Sequence, residues 1–271
     1  PLLWGGLIVG GVSMLLLVIQ NRRGQRPFEF VVMGLLLVIT IGFMAGLFVS
    51  PVSWPDVAGG LVPRFEGSAS VLLAASMLGA TVMPHAIYVH SALARDRHGA
   101  QAPDLHRLLR ATRWDVVASM VVAGAVNLAM LLLAAASLQG VSGTDSIQGA
   151  HAAITSSLGP VIGVLFGIGL LASGLASTSV GCYAGAAIMS GLLNVRLPLP
   201  ARRAITLIPA LIVLGVGVNP TWALVLSQVL LSIGIPFALA PLVRLTSQPS
   251  LMGGFANSTL LRVTAWVVVG L

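Results

Sequence analysis

The 271 residues contain no lysine, one cysteine and seven acidic side chains. A single cysteine excludes an intramolecular disulfide and a thiolate metal cluster, which leaves Cys182 as a small apolar filler. Charged residues amount to 8% against 57% hydrophobic, a balance that a soluble domain of this length does not keep in solution. The chain is therefore a polytopic membrane protein. All 14 basic residues are arginines and the formal net charge is +7. No aromatic-interleaved basic platform accompanies them, so nucleic acid is excluded as a partner and the charge reports topology and lipid contact. The run Pro1-Leu2-Leu3-Trp4 is already apolar, without a charged leader, and Thr264 to Leu271 stops within an apolar run. No signal peptide is read there, and the chain is expected to be an internal piece of a longer protein.

Apolar windows of the length that crosses a bilayer follow one another over residues 1–20, 28–50, 68–94, 116–138, 160–193, 204–218, 221–243 and 259–271. The 160–193 stretch is too long for one straight crossing and is expected to tilt, kink or project. Arginines collect in alternate loops: Arg22, Arg23 and Arg26; Arg95, Arg97, Arg107, Arg110 and Arg113; Arg196, Arg202 and Arg203; Arg244 and Arg262. Arg64 alone falls on the opposite side, which places the four arginine-bearing loops in the cytoplasm. The segment Leu105-His106-Arg107-Leu108-Leu109-Arg110 is amphipathic and reads as a short interfacial helix, with a similar helix over 146–157 on the other side.

The window 68–94 is interrupted by Met83-Pro84-His85. Proline removes a backbone donor and clashes with the preceding turn, so a helix breaks here and the carbonyls of Gly79 to Val82 lose intrahelical partners. Freed carbonyls at membrane depth, for instance that of Ala80, form a cation site of the kind secondary transporters build near the midplane. The thioether of Met83 makes such a site softer than an oxygen cage, favouring transition metals over Ca²⁺ or Mg²⁺. His85 can carry a proton. His90 lies five residues on, about 140° around a regular helix, so the two imidazoles do not chelate one ion. One shortage bears on the site: Glu29, Asp56, Glu66, Asp96, Asp104, Asp115 and Asp145 all fall in loops or at span edges. A dehydrated divalent cation wants an anionic ligand, so either the break is not a cation site or the carboxylate comes from a span outside this chain.

Three ordered motifs carry a family resemblance over essentially the whole chain. Met83-Pro84-His85 followed by Ala86-Ile87-Tyr88-Val89-His90-Ser91-Ala92-Leu93 resembles the sixth transmembrane helix of the Nramp family of proton-coupled divalent metal transporters. Ala172-Ser173-Gly174-Leu175-Ala176-Ser177-Thr178-Ser179-Val180-Gly181 with Ala184-Gly185 is similar to the transport signature of its eighth helix. Leu226-Ser227-Gln228-Val229-Leu230-Leu231-Ser232-Ile233 with Pro236-Phe237 resembles its tenth. The resemblance implies a LeuT-like fold of inverted helical repeats, of which this all-α chain would supply about helices four to eleven. It further implies Met83 as thioether ligand, the Ala80 carbonyl as a second, and Gln228 as a ligand that approaches in some states. His85, with His90 nearby, would belong to the proton and gating network, and Arg202 and Arg203 would line the proton exit. The family's helix-one Asp-Pro-Gly-Asn has no counterpart here, Ala86 stands where asparagine is common, and Ala186 and Ser190 replace a Gln and a Glu of the signature.

The expectation is a proton-coupled importer of Mn²⁺ and Fe²⁺ in the bacterial inner membrane, monomeric and multi-pass. It would work by alternating access, with the metal as substrate and no cofactor. A LeuT-type sodium- or proton-coupled amino-acid or solute carrier is the nearest competitor, with Met83 as packing. An intramembrane enzyme using His85 with Ser91 or Tyr88 is disfavoured by the lack of a membrane carboxylate or of nucleophile–base spacing.

Overall fold

The computed structural model describes residues 2–23, 25–62, 64–65, 67–98, 105–192 and 198–270. Among them every regular element is helical: α1 (Leu2–Arg23), α2 (Gln25–Val49), α3 (Trp54–Gly60), α4 (Gly67–Thr81), α5 (Pro84–His98), α6 (Leu105–Ser137), α7 (Ile147–Leu158), α8 (Pro160–Leu192), α9 (Leu199–Gly215), α10 (Pro220–Thr246), the short α11 (Pro249–Met252) with a 3₁₀ turn at Gly253–Phe255, and α12 (Thr259–Gly270). Five stretches of the described residues are long and apolar enough to cross a membrane: Arg26–Val49, Gly67–Arg95, Leu105–Ser137, Pro160–Gly191 and Pro220–Thr246. The long apolar stretch from Pro160 is one helix of 33 residues, about 50 Å by helical rise and hence longer than a hydrocarbon core of about 30 Å.

The interfacial helix expected at Leu105–Arg110 is not separate. It forms the first turns of α6, because the stretch from Leu105 to Trp114 holds neither glycine nor proline and is rich in the helix formers Leu and Arg. Helix α9 starts before the apolar window predicted for it, with proline in its first turn, and so takes in Arg202 and Arg203, whose side chains lie outside the described residues.

The chain divides into two compact units, Pro1–Pro63 with Ala94–Thr221, and Arg64–Leu93 with Trp222–Leu271. In the first, α2 packs against α8 and α6, and a buried cluster of Phe43, Val126, Leu133, Ile154, Ile162 and Phe166 joins α2, α6, α7 and α8. Phe43 and Phe166 meet edge to face, with ring centroids 5.5 Å apart. Lipid tails are as apolar as these side chains, so the helices associate through close packing rather than through expulsion of water. Glycines make that packing possible. A Cβ at Gly42 would lie 2.6 Å from the Leu165 carbonyl oxygen and 3.2 Å from the Cα of Gly169, while Gly46 sits against Leu133 and Ile162.

Helix α7 is the helix expected over 146–157, and it packs on α8. Ser146 stands at its N-cap in an extended conformation, its Oγ accepting the Gly149 N–H at 3.1 Å. Gly159, at φ 94°, turns the chain from α7 into α8 in one residue, a conformation L side chains avoid. Replacing Ser146 by Ala is expected to cost about 1 kcal/mol of α7 stability. Amide exchange in the first turn of α7 should quicken roughly fivefold, while α8 keeps its protection; equal protection in variant and parent would refute the cap.

In the second unit the end of α10 is tied down by Asn257. Its backbone N–H donates to the Thr246 carbonyl at 3.0 Å and its Nδ2 to Thr246 Oγ1 at 2.8 Å. The first of these bonds satisfies the last carbonyl of α10, and the second holds the Thr246 hydroxyl.

Candidate metal centre

Helix α4 ends at Thr81 and α5 begins at Pro84, so the chain breaks where Met83-Pro84-His85 predicted it. Val82 N–H still reaches the Leu78 carbonyl at 2.8 Å, and on the far side Ala86 N–H reaches the Met83 carbonyl at 3.0 Å. Between these two bonds the ladder is interrupted. Residue 84 would cap the Ala80 carbonyl in an unbroken helix, and as proline it has no N–H to offer. Thr81 is the last helical residue of α4, and its Oγ1 turns back to the Met77 and Leu78 carbonyls at 2.9 and 3.0 Å, sealing the helix end without covering Ala80.

Met83 and His85 are half-buried, whereas Ala80 and His90 are exposed. Both histidines lie on α5, and their separation along one continuous helix keeps them apart as the spacing required. The Ser91 hydroxyl donates to the Ile87 carbonyl at 3.0 Å, an ordinary intrahelical arrangement that leaves no serine nucleophile held by His85.

Helix α10 runs beside the break. The backbone of Gln228 lies against Gly79, the residue before Ala80, and six residues on Gly234 faces the Pro84 ring, with 3.7 Å between a Cβ built there and Pro84 Cγ. The two contacts bracket Met83 in the sequence of the broken helix. Gln228 Oε1 is buried and has no hydrogen-bond partner. A buried amide oxygen without a donor costs of the order of 1–3 kcal/mol, so this oxygen is open to a donor or a cation. The break offers the Met83 thioether and the Ala80 carbonyl, and α10 offers the Gln228 amide oxygen, all of them uncharged. Among the described residues no group of three or more His, Cys, Asp and Glu is placed to hold a metal ion.

Gly79 was not singled out by the sequence motifs. Glycines are frequent here, and most of the helical ones, Gly124, Gly174, Gly181 and Gly185 among them, have open space where a Cβ would go. Only the packing distinguishes Gly79 from them. The stretch resembling the helix-eight signature runs unbroken through α8, where Ala172, Ser179, Cys182 and Ala184 are buried and the Ser179 hydroxyl donates to the Leu175 carbonyl at 2.8 Å.

The family model described as Nramp, natural resistance-associated macrophage protein-like, matches residues 1–271. The chain is 59% identical over 269 residues to the divalent metal cation transporter MntH of Mycobacterium tuberculosis (strain ATCC 25618 / H37Rv), covering 98% of this chain and 62% of that protein. It is 42% identical over 269 residues to the protein of the same name from Klebsiella pneumoniae (strain 342), covering 98% of this chain and 64% of the relative. Among solved structures, the Eremococcus coleocola manganese transporter in complex with an aromatic bis-isothiourea substituted compound matches with a TM-score of 0.77 and 28% identity, over 99% of this chain and 62% of that one. The chain thus spans a little under two thirds of the length of these relatives, all of them named as transporters rather than enzymes. The architecture is that of a LeuT-like all-helical membrane protein. With the family model matched from end to end and the broken helix where its sixth-helix motif predicts it, this chain belongs to the Nramp family.

Proposed function

We propose that the chain forms part of a proton-coupled importer of Mn²⁺ and Fe²⁺ in the bacterial cytoplasmic membrane. The observation that carries this reading is the uncapped Ala80 carbonyl beside Met83, with the orphaned Gln228 amide oxygen on the neighbouring helix. In it the metal, as substrate, takes the Met83 sulfur, the Ala80 carbonyl and, in the state where α10 closes, Gln228 Oε1. The thioether ranks soft transition ions above Ca²⁺ and Mg²⁺. Anionic ligands come from a span beyond this chain. His85 and His90 carry or gate the accompanying proton, and Arg202 and Arg203 line its route to the cytoplasm. The arginine-rich loops face the cytoplasm, the eight apolar windows act as spans, and the protein works as a monomer surrounded by lipid, exposing the site to each side in turn.

The reading rests on the donor chemistry and on the relatives being named as divalent metal cation or manganese transporters. Full-length protein in liposomes tests it. An inward proton gradient is expected to accelerate Mn²⁺ and Fe²⁺ entry severalfold, and metal entry is expected to acidify the lumen. Amino-acid flux driven by Na⁺, with no metal flux, would instead make the break a LeuT-type solute site and Met83 mere packing.

A further inference from the structure

The glycine at position 79 does something that a glycine in an apolar helix does not do by default. A Cβ there would collide with the Gln228 carbonyl oxygen and would stand 2.8 Å from the Gln228 carbonyl carbon and 2.9 Å from the Ser232 nitrogen. These are backbone atoms of α10, held by its own hydrogen bonds, and they cannot rotate aside as a side chain would. Relief requires α4 and α10 to part by about 1.5 Å to restore ordinary non-bonded separations. Gly79 is buried, and the site bears on it from both sides. Its successor Ala80 carries the uncapped carbonyl. Its contact across the helices, Gln228, carries the buried amide oxygen with no partner.

We propose that Gly79 is a specificity-determining positioning residue: its bare Cα lets α10 approach the broken helix closely enough for the Ala80 carbonyl and the Gln228 amide to share one small divalent cation. The proposal rests on reading the break as the metal centre. The chain of contact is one residue long on each side, from Gly79 to Ala80 and from the Gln228 backbone to its own side chain, so a displacement at Gly79 reaches both oxygens undiluted. Separation does not weaken all ions alike. Ca²⁺ accepts oxygen ligands at about 2.3–2.6 Å in flexible shells, whereas smaller divalent ions need shorter and more regular bonds. A site opened at Gly79 therefore loses small transition ions first and discriminates less against Ca²⁺. Gly234, where a Cβ would meet only the Pro84 ring at ordinary contact distance, offers a second place to change the same spacing.

The test is Mn²⁺ uptake by the reconstituted full-length protein with Ca²⁺ as competitor, for Gly79→Ala, Gln228→Ala and the double variant. Gly124→Ala is the control, since a Cβ at that helical glycine meets nothing within 4 Å. Gly79→Ala is expected to raise KM for Mn²⁺ about tenfold with kcat less affected, and to lower the Ca²⁺ concentration that halves uptake. In the Gln228→Ala background the same substitution should change KM by less than about threefold, because the amide it displaces is already gone. A Gly79→Ala protein with parental KM and Ca²⁺ sensitivity overturns the proposal, as does a full tenfold effect persisting without the Gln228 amide. If Gly79→Ala does not accumulate, Gly234→Leu pushes α10 from the Pro84 side and is expected to shift Ca²⁺ sensitivity in the same direction; an unshifted value overturns the proposal. Absence of metal uptake by the parent protein overturns the metal reading itself, which keeps the two failures distinct.

Discussion

Replacing Met83 by Ala in the full-length protein is expected to admit Ca²⁺ as a competitor while part of the Mn²⁺ uptake remains. Carbonyl and amide oxygens bind hard and borderline cations alike, and the scarcity of acid inside the apolar windows means that this chain offers no charge to sharpen the choice. The thioether is the one soft donor there, and Met83 is held half-buried between the last bond of α4 and the first of α5, where it does not fill the core of either unit. Truncation should therefore move selectivity more than folding. Mn²⁺ uptake is expected to lose about tenfold in kcat/KM, the equivalent of about 1.4 kcal/mol. Ca²⁺ should inhibit and itself enter more readily than with the parent. Radiotracer uptake with both ions measures this, and continued exclusion of Ca²⁺ by the alanine variant would remove the thioether from the selectivity mechanism. A leucine at the same position separates shape from chemistry: it fills a similar volume without sulfur, and on this argument it behaves as alanine does.

The break itself was legible because proline acts on its own chain: the missing N–H and the ring clash are local. Yet proline alone does not decide the matter. Pro209 lies inside α9 and Pro236 and Pro241 inside α10, and those helices continue through them. Neighbouring helices and local adjustment can re-satisfy a freed carbonyl, so whether a membrane proline breaks its helix is settled by packing that one sequence does not display. The same limit explains Gly79 and Gly42. A glycine that admits a neighbouring backbone and one that faces open space look identical in the sequence. Gln228 was nameable by its motif, whereas the burial of its Oε1 without a donor is a property of the folded unit. Helix type and approximate length followed from apolar windows, but the start of α6 did not, because an amphipathic run with no breaker reads equally well as a surface helix or as the extension of a span.

The largest effect on stability is expected at Gly42, and it follows from what holds helices together in lipid. Where water is absent, two apolar helices gain little from hiding surface, and contact between backbones with its attendant dispersion becomes the main attraction. At Gly42 the α2 backbone comes so close to α8 that an added Cβ would sit 2.6 Å from the Leu165 carbonyl oxygen and 3.4 Å from the Gly169 nitrogen. The next residue, Phe43, is 2% exposed, and its ring lies 3.3 Å from the Cβ position of Gly169, so each helix contributes a glycine to admit the other. Valine at position 42 forces the seam open, and Phe43 then loses both its bed on Gly169 and its edge-to-face contact with Phe166. Overpacking of this kind costs about 1–3 kcal/mol, and the upper end applies because the obstacle is backbone. For a protein of a few hundred residues, about 3 kcal/mol lowers the thermal midpoint by roughly 6–12 °C. Gly34→Val is the matched control, on the same helix with open space at its Cβ, and its midpoint should stay within about 2 °C of the parent. A Gly42→Val protein as stable as Gly34→Val would show that α2 and α8 are held by something other than this seam. The expected pairing is loss of folded protein from Gly42→Val with selectivity intact in what remains, against changed selectivity and a near-parental midpoint from Met83→Ala, because the first residue joins helices and the second, on the proposed reading, is a ligand to the metal.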